Sequence, residues 1–368
     1  MICSGDFIVD FDTAIRSVHA AETDASDLHI APGFIDLQIN GFAGVDFNNP
    51  RAPIEEIGRA LDTILATGVT RCLPTVITGA PGEMLASLRN LYHAKTTLPR
   101  GRAIAGFHVE GPHIVAEDGP RGAHPAQWVR PPDLEEFARW QDATAGNIRL
   151  ITLSPHWPGA PRYIATLTKA GVAVSVGHTG ANTGQIAAAV DAGAALSTHL
   201  GNAAHKVLPK FPNYLLSQLA EDRLSASFIV DGIHLDDSFL RVALRAKGVE
   251  RTILVTDAAA PAGAEPGRYR LGELEVDLTP DNRVVLAGTG KLAGSALRMD
   301  RALSNLMRIG NLTLDDALQT ATTNPARLIH LDGRTQGLAP GDRADIVVFR
   351  NTHGIEIEAV YLDGERVA

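Results

Sequence analysis

The sequence predicts an α/β protein, a (β/α)8 TIM barrel with a small β-sandwich domain formed by both termini. Three observations carry this. Eight short apolar, β-branched runs alternate with segments of helical spacing between about residues 34 and 256. Both ends of the chain instead show short alternating runs broken by turn residues, as in a small antiparallel sheet. Finally, chemistry-bearing side chains fall just beyond the carboxyl ends of the apolar runs, which in such a barrel share one face.

The expected division is residues 1–31 and 336–368 for the small β-domain and 32–335 for the barrel. In the first part, Phe7–Val9, Ile15–His19 and Leu28–Ile30 read as strands separated by Asp and Ser clusters; in the last, Asp345–Phe349, Ile355–Tyr361 and Glu365–Val367 do, with a hairpin turn at Asp363-Gly364. The barrel strands are expected at Phe34–Ile39, Val69–Ile77, Ala103–Val109, Ile148–Leu153, Val172–Val176, Ala194–Thr198, Ala226–Val230 and Thr252–Thr256. Ile54, Ile57, Leu61, Ile64 and Leu65 form a helical stripe, and Gly68 suits its C-terminal cap. Further helices are expected at Met84–Lys95, Leu134–Ala143, Ile186–Ala192 and Asp237–Lys247. Glu273–Leu286 reads as a hairpin inserted after the eighth strand.

Composition narrows the partners. The chain has 368 residues, 45% of them hydrophobic, enough for one large core. A net charge of -9 without a basic run argues against nucleic acid and anionic membranes. Two cysteines give no disulfide framework or Cys-rich metal site. With no signal-like N-terminus or membrane-length apolar run, a cytoplasmic protein acting on a small molecule is expected.

His178 and His199 follow the fifth and sixth strands, and Glu110 ends the third. One Glu and two His form a zinc-type set that leaves a position for water. Taken singly, each has an ordinary structural role: hydrogen-bonded histidines, and a glutamate paired with Arg or capping a helix. Asp257 follows the eighth strand, where a carboxylate can move a proton or simply cap a helix. Asp231-Gly-Ile-His234 follows the seventh. His124 lies in a Gly/Pro-rich loop, placed either to polarise a carbonyl or merely exposed.

These residues resemble the amidohydrolase superfamily and, within it, the N-acetylglucosamine-6-phosphate deacetylase family. The resemblance rests on Ala31-Pro-Gly-Phe-Ile-Asp-Leu-Gln-Ile-Asn-Gly41, His108-Val-Glu-Gly-Pro112, Gly122-Ala-His124, Gly177-His-Thr179 and Thr198-His-Leu-Gly-Asn-Ala203. It continues through Asp231-Gly-Ile-His234, Thr256-Asp-Ala-Ala-Ala-Pro-Ala-Gly263, Leu292-Ala-Gly-Ser295, Thr323-Asn-Pro-Ala326 and Gly341-Asp-Arg-Ala-Asp345. It implies one divalent metal on Glu110, His178 and His199, with zinc foremost and iron, manganese and cobalt open. Asp257 becomes general base and then general acid, and His124 the contact to the acyl carbonyl. Ala123, Asn202, Ala203, Asp231, Gly232, Ile233 and His234 hold the sugar or its phosphate, and Leu292, Ala293 and Gly294 line the pocket. A homodimer is implied.

The chain departs from the family in places. Gln38 and Asn40 replace the His-x-His that holds a second metal in many amidohydrolases, as in a one-metal branch of the deacetylases. Gly201 stands where the family often has an aromatic residue, and Ala204 where it usually has Met. Lys210 replaces an Arg that reaches the phosphate from the neighbouring subunit. The implied reaction is deacetylation of N-acetylglucosamine-6-phosphate. Alternatives are N-acetylgalactosamine-6-phosphate, an unphosphorylated amino sugar or an N-acyl amino acid as substrate, or a non-catalytic assembly protein. A binuclear cyclic-amide hydrolase is disfavoured by Gln38, Asn40 and the lack of a Lys in the fourth strand.

Overall fold

The computed structural model describes residues 2–3, 7–20, 28–334 and 337–368. Eight parallel strands pair in sequence order: Phe34–Ile39, Val69–Ile77, Phe107–Glu110, Ile148–Leu153, Ala173–Val176, Leu196–Ser197, Ser225–Phe228 and Thr252–Leu254. They are almost wholly buried, as strands covered on both faces must be. The barrel closes beyond the last strand, where Ile39 bridges Ala258 in parallel, with Asp257 N–H donating to Gln38 O at 2.9 Å and Asn40 N–H to Ala258 O at 2.6 Å.

The helices expected at Ile54–Leu65 and Leu134–Ala143 form with those bounds. Ile57, Leu61, Ile64 and Leu65 bury the stripe of the first against the barrel. The Thr183–Asp191 helix starts earlier than expected because Asn182 and Gln185 make a reciprocal capping box. The third strand begins later, at Phe107, because Pro99–Ala103 wind into a 3-10 turn. The insertion after the eighth strand has three antiparallel strands, Gly267–Leu271, Leu274–Leu278 and Val284–Leu286, where a two-stranded hairpin was expected.

The C-terminal strands Ile346–Asn351, Ile355–Leu362 and Glu365–Arg366 form a sheet with Leu28–Pro32, so both ends of the chain share one sheet. A second sheet combines Ile2–Cys3, Phe7–Phe11 and Ile15–Ala20. Val9 and Ile15 of that sheet share a buried cluster with Ile346 of the other. The connection at 21–27 and the boundary expected at 335/336 fall outside the described residues. Arg71 ties the barrel to this layer through a two-pronged pair with Asp345, at 2.7 and 2.8 Å, and Arg334 approaches the same carboxylate. Burial would raise the Asp345 pKa, but Arg71 and Arg334 outweigh it and lower it.

Candidate active site

The ends of the third, fifth and sixth strands bring three side chains to one point. Glu110 Oε1 lies 3.1 Å from His178 Nε2 and 2.9 Å from His199 Nε2, and the two Nε2 atoms are 3.2 Å apart. All three residues are buried. Three potential ligand atoms this close, two imidazole nitrogens and a carboxylate oxygen, form a donor set able to hold a metal ion. Pro120 O lies 3.1 Å from His178 Nδ1, so a proton there leaves the Nε2 lone pair aimed at the shared point. Glu110 resists burial, which alone would raise its pKa, because His178 and His199 hold it well below the ordinary value.

The backbone is bent to make this possible. His178, His199 and Asp257 adopt φ values of 48°, 27° and 50°. Non-glycine residues in this region carry strain of order 1–3 kcal/mol each. Before His178 the chain needs Gly177, where a Cβ would come within 2.2 Å of Thr198 Cγ2.

Asp257 faces this cluster. Its Oδ1 accepts from Gln38 Nε2 at 3.1 Å and Asn40 Nδ2 at 2.7 Å, while Oδ2 has no hydrogen-bond partner among the described residues. Gln38 Nε2 also lies 2.8 Å from Glu110 Oε1, and Gln38 Oε1 accepts from Thr198 Oγ1. Amide hydrogens of Gln38 thus bridge the two carboxylates. The Asp257 pKa is raised, chiefly by burial and then by Glu110. His124 stands beside His178, ring centroids 4.3 Å apart, with Nδ1 2.8 Å from Thr78 Oγ1 and Nε2 3.7 Å from Glu110 Oε2. Burial, then His178, pushes its pKa down to about 3, so the ring is neutral.

An open cleft of about 730 Å³ surrounds these groups, and Ala123, Asn202, Ala203, His234, Leu292, Ala293 and Gly294 are among the residues that line it. Asn202 Nδ2 is buried without a hydrogen-bond partner among the described residues. Asp231 faces inward instead: its carboxylate accepts from Ile233 N, His234 N and, at 2.6 Å, His234 Nδ1. It aims His234, while Asp231, Gly232 and Ile233 do not line the cleft. Lys210 also lies outside it, exposed, 6.0 Å from the Phe211 ring centroid. The cations in the cleft are Lys206 and Lys291, the latter paired with Asp118 at 2.7 Å. Sequence reasoning passed over both, because neither adjoins a strand end. A side chain at Gly201 would collide with Phe239 and Leu235, which already fill that space.

Residues 29–367 match the family model described as Amidohydrolase family. The chain is 36% identical to N-acetylglucosamine-6-phosphate deacetylase from Bos taurus, over 96% of this chain and 86% of that protein. The chain belongs to the N-acetylglucosamine-6-phosphate deacetylase family of amidohydrolases. Its deacetylase relatives include one from Bacillus subtilis (strain 168), 30% identical over 88% of this chain and 81% of that one. The structure of the Mycobacterium smegmatis deacetylase, an Asp-to-Ala mutant in complex with N-acetyl-D-glucosamine-6-phosphate, superposes with a TM-score of 0.88. That pair is 32% identical, over 97% of this chain and 93% of the other. As a member of this deacetylase family the chain is a hydrolase of amide bonds; the amidohydrolase family is metal-dependent, and the Glu/His/His cluster of this chain could hold an ion.

Proposed function

We propose that the chain hydrolyses N-acetylglucosamine-6-phosphate to glucosamine-6-phosphate and acetate. The observation that carries this is the convergence of Glu110, His178 and His199 beside Asp257, in a cleft whose lining adds Lys206, Lys291 and His234. A sugar fits a cleft of this size, and the cations suit a phosphate.

Glu110, His178 and His199 hold one divalent ion per chain, zinc foremost, with iron, manganese and cobalt able to suit the same ligands. Bound there, the ion supplies a Lewis acid that polarises the amide carbonyl and acidifies water. Asp257 takes the proton of the attacking water at Oδ2, since Oδ1 is already occupied by two amide donors. It returns that proton to the leaving nitrogen. With Thr78 donating to Nδ1 of neutral His124, the imidazole N–H at Nε2 faces the cleft and donates to the developing oxyanion. Asn202, Ala203 and His234 orient the sugar, and Leu292, Ala293 and Gly294 close around it.

The division into a barrel at about 32–335 and a terminal β-domain, the homodimer and the cytoplasmic location belong to the same reading. Among the described residues no helix is long and apolar enough to cross a membrane. Val207 and Phe211, 86% and 73% exposed on the loop of Lys210, offer a second copy an apolar surface. The test is turnover of N-acetylglucosamine with and without its 6-phosphate, and of N-acetylgalactosamine-6-phosphate. A preference for the first phosphate ester is expected; no acetate from any of them overturns the reading.

A further inference from the structure

A cavity of about 300 Å³ lies at the opposite end of the barrel from the cleft, where the second, third and fourth strands begin. Arg71 reaches it from the second strand, Ala105 precedes the third, and Asn147 and Arg149 flank the start of the fourth; Arg343 and Asp363 approach from the C-terminal layer. Five cationic side chains, those of Arg71, Lys95, Arg102, Arg149 and Arg343, face two carboxylates, Asp332 and Asp363. In a chain of net charge -9 this is a concentrated patch of the opposite sign.

Nearby acids do not neutralise it. Asp345 is committed to Arg71 and Arg334, and Glu365 to Arg100 and Arg102. Asp363 is shared among Arg71, Arg102 and Arg343. Arg149 is half-buried and has no hydrogen bond or ion pair among the described residues. Arg102 Nε is buried and makes no hydrogen bond among the described residues, with Asp363 Oδ2 3.9 Å away. Lys95 donates to Ile104 O, which leaves the other ammonium hydrogens available. Its pKa is lowered first by burial and then by Arg71, with Arg149 and Arg343 adding to the repulsion. Fixed guanidinium donors and a desolvated ammonium around a small cavity match the acceptors of a tetrahedral oxyanion.

We propose that this cavity binds a small phosphate-class oxyanion, with Arg149, Lys95 and Arg102 supplying the donors that the protein leaves open. The site is separate from the deacetylation cleft and does not depend on the reaction assigned there. Its volume is at the small end for ligand sites, which favours inorganic phosphate or the phosphate group of a compact ester over a nucleotide.

The experiment is calorimetric titration of the full chain, at fixed ionic strength in chloride, with inorganic phosphate and separately with glycerol phosphate. Wild type is compared with Arg149→Gln and Arg149→Glu. Arg149 holds no partner among the described residues, so both variants are expected to keep the wild-type circular dichroism and turnover measured without phosphate. A saturable wild-type isotherm whose affinity falls about tenfold in Arg149→Gln, and further in Arg149→Glu, is the expected result. Binding of phosphate alone assigns the site to the free ion; equal or tighter binding of the ester assigns it to a phosphorylated metabolite. An isotherm unchanged in both variants overturns the proposal, as does absence of binding to wild type. A variant that loses thermal stability equally with and without phosphate, at unchanged affinity, also overturns it by reducing the cluster to an ion-pair network.

Discussion

The Asn40 carboxamide donates to Oδ1 of Asp257 across 2.7 Å, from just past the first barrel strand to a residue shortly beyond the eighth. That hydrogen bond favours the ionised carboxylate and opposes the raising effects of burial and Glu110. Asn40→Ala therefore moves the Asp257 pKa up. Since the base must be ionised to accept a proton, the acid limb of the kcat/KM profile moves to higher pH. An unshifted limb with reduced activity would show that Asn40 acts only on structure.

Asp257→Asn preserves the shape of the side chain and removes its basicity. The expected loss in kcat is about a hundredfold or more, with metal content and circular dichroism unchanged. Near-normal turnover would remove Asp257 from its role. His124→Asn should lower kcat more than it raises KM, because the contact is made to the developing oxyanion. A pure KM effect would make it a binding residue.

His199→Ala removes one of three converging donors and should lose both ion and activity. Elemental analysis of wild type should give one metal per chain; two tightly held ions would contradict the bridging role of Gln38. Burial disfavours a charged His199, yet Glu110 outweighs it and raises its pKa. A proton and an ion then compete for the same nitrogen, so apparent metal affinity should fall as pH falls. A pH-independent titration would argue against this ligand set.

The phosphate prediction separates the two lysines of the cleft from a third outside it. If Lys206 and Lys291 hold the substrate within one chain, Lys206→Ala and Lys291→Ala each reduce kcat/KM about tenfold for the 6-phosphate and spare the neutral sugar. If Lys210 reaches a partner's cleft, Lys210→Ala does so instead. Equal wild-type rates on both sugars would dismiss the phosphate while leaving the N-acyl hydrolase.

Buried Asp36 accepts from Thr256 N–H and Oγ1 and from Gln38 N–H, but burial outweighs these and raises its pKa to about 7. The unfolded chain ionises near the ordinary carboxylate value, so the folded state binds more protons between about pH 4 and 7. The contribution of this group to stability is full below pH 4 and declines as pH rises through 7. Asp36→Asn mimics the protonated acid. Urea unfolding should show its stability relative to wild type increasing from pH 5 to pH 8, and a constant difference would refute the assignment.

The barrel was legible because strands buried on both faces read as short runs rich in apolar and β-branched residues, as Ala173–Val176 and Thr252–Leu254 do. The Ala160–Lys169 helix was passed over, its stripe of Tyr163, Ile164 and Leu167 being short and its start marked only by Pro161. Met299–Gly310, Leu314–Ala321 and Thr323–Leu328 were likewise not named as helices. At the site, Glu110, His178, His199 and Asp257 were visible through their places after strands. The bridging amide of Gln38, the inward turn of Asp231 and the cleft position of Lys206 depend on pairings among distant segments, which one-dimensional spacing does not encode.

The contacts that close the barrel have a kinetic consequence. Gln38 and Asp257 are 219 residues apart in sequence, yet they meet at the barrel's seam. Every intervening strand must be in place before that seam can form, and closing so long a loop is entropically costly. Activity should therefore return in refolding only with the final cooperative phase, after most helix content has recovered. A fragment that stops before the eighth strand carries Glu110, His178 and His199 but lacks Asp257, and is expected to be inert whether or not an ion is supplied.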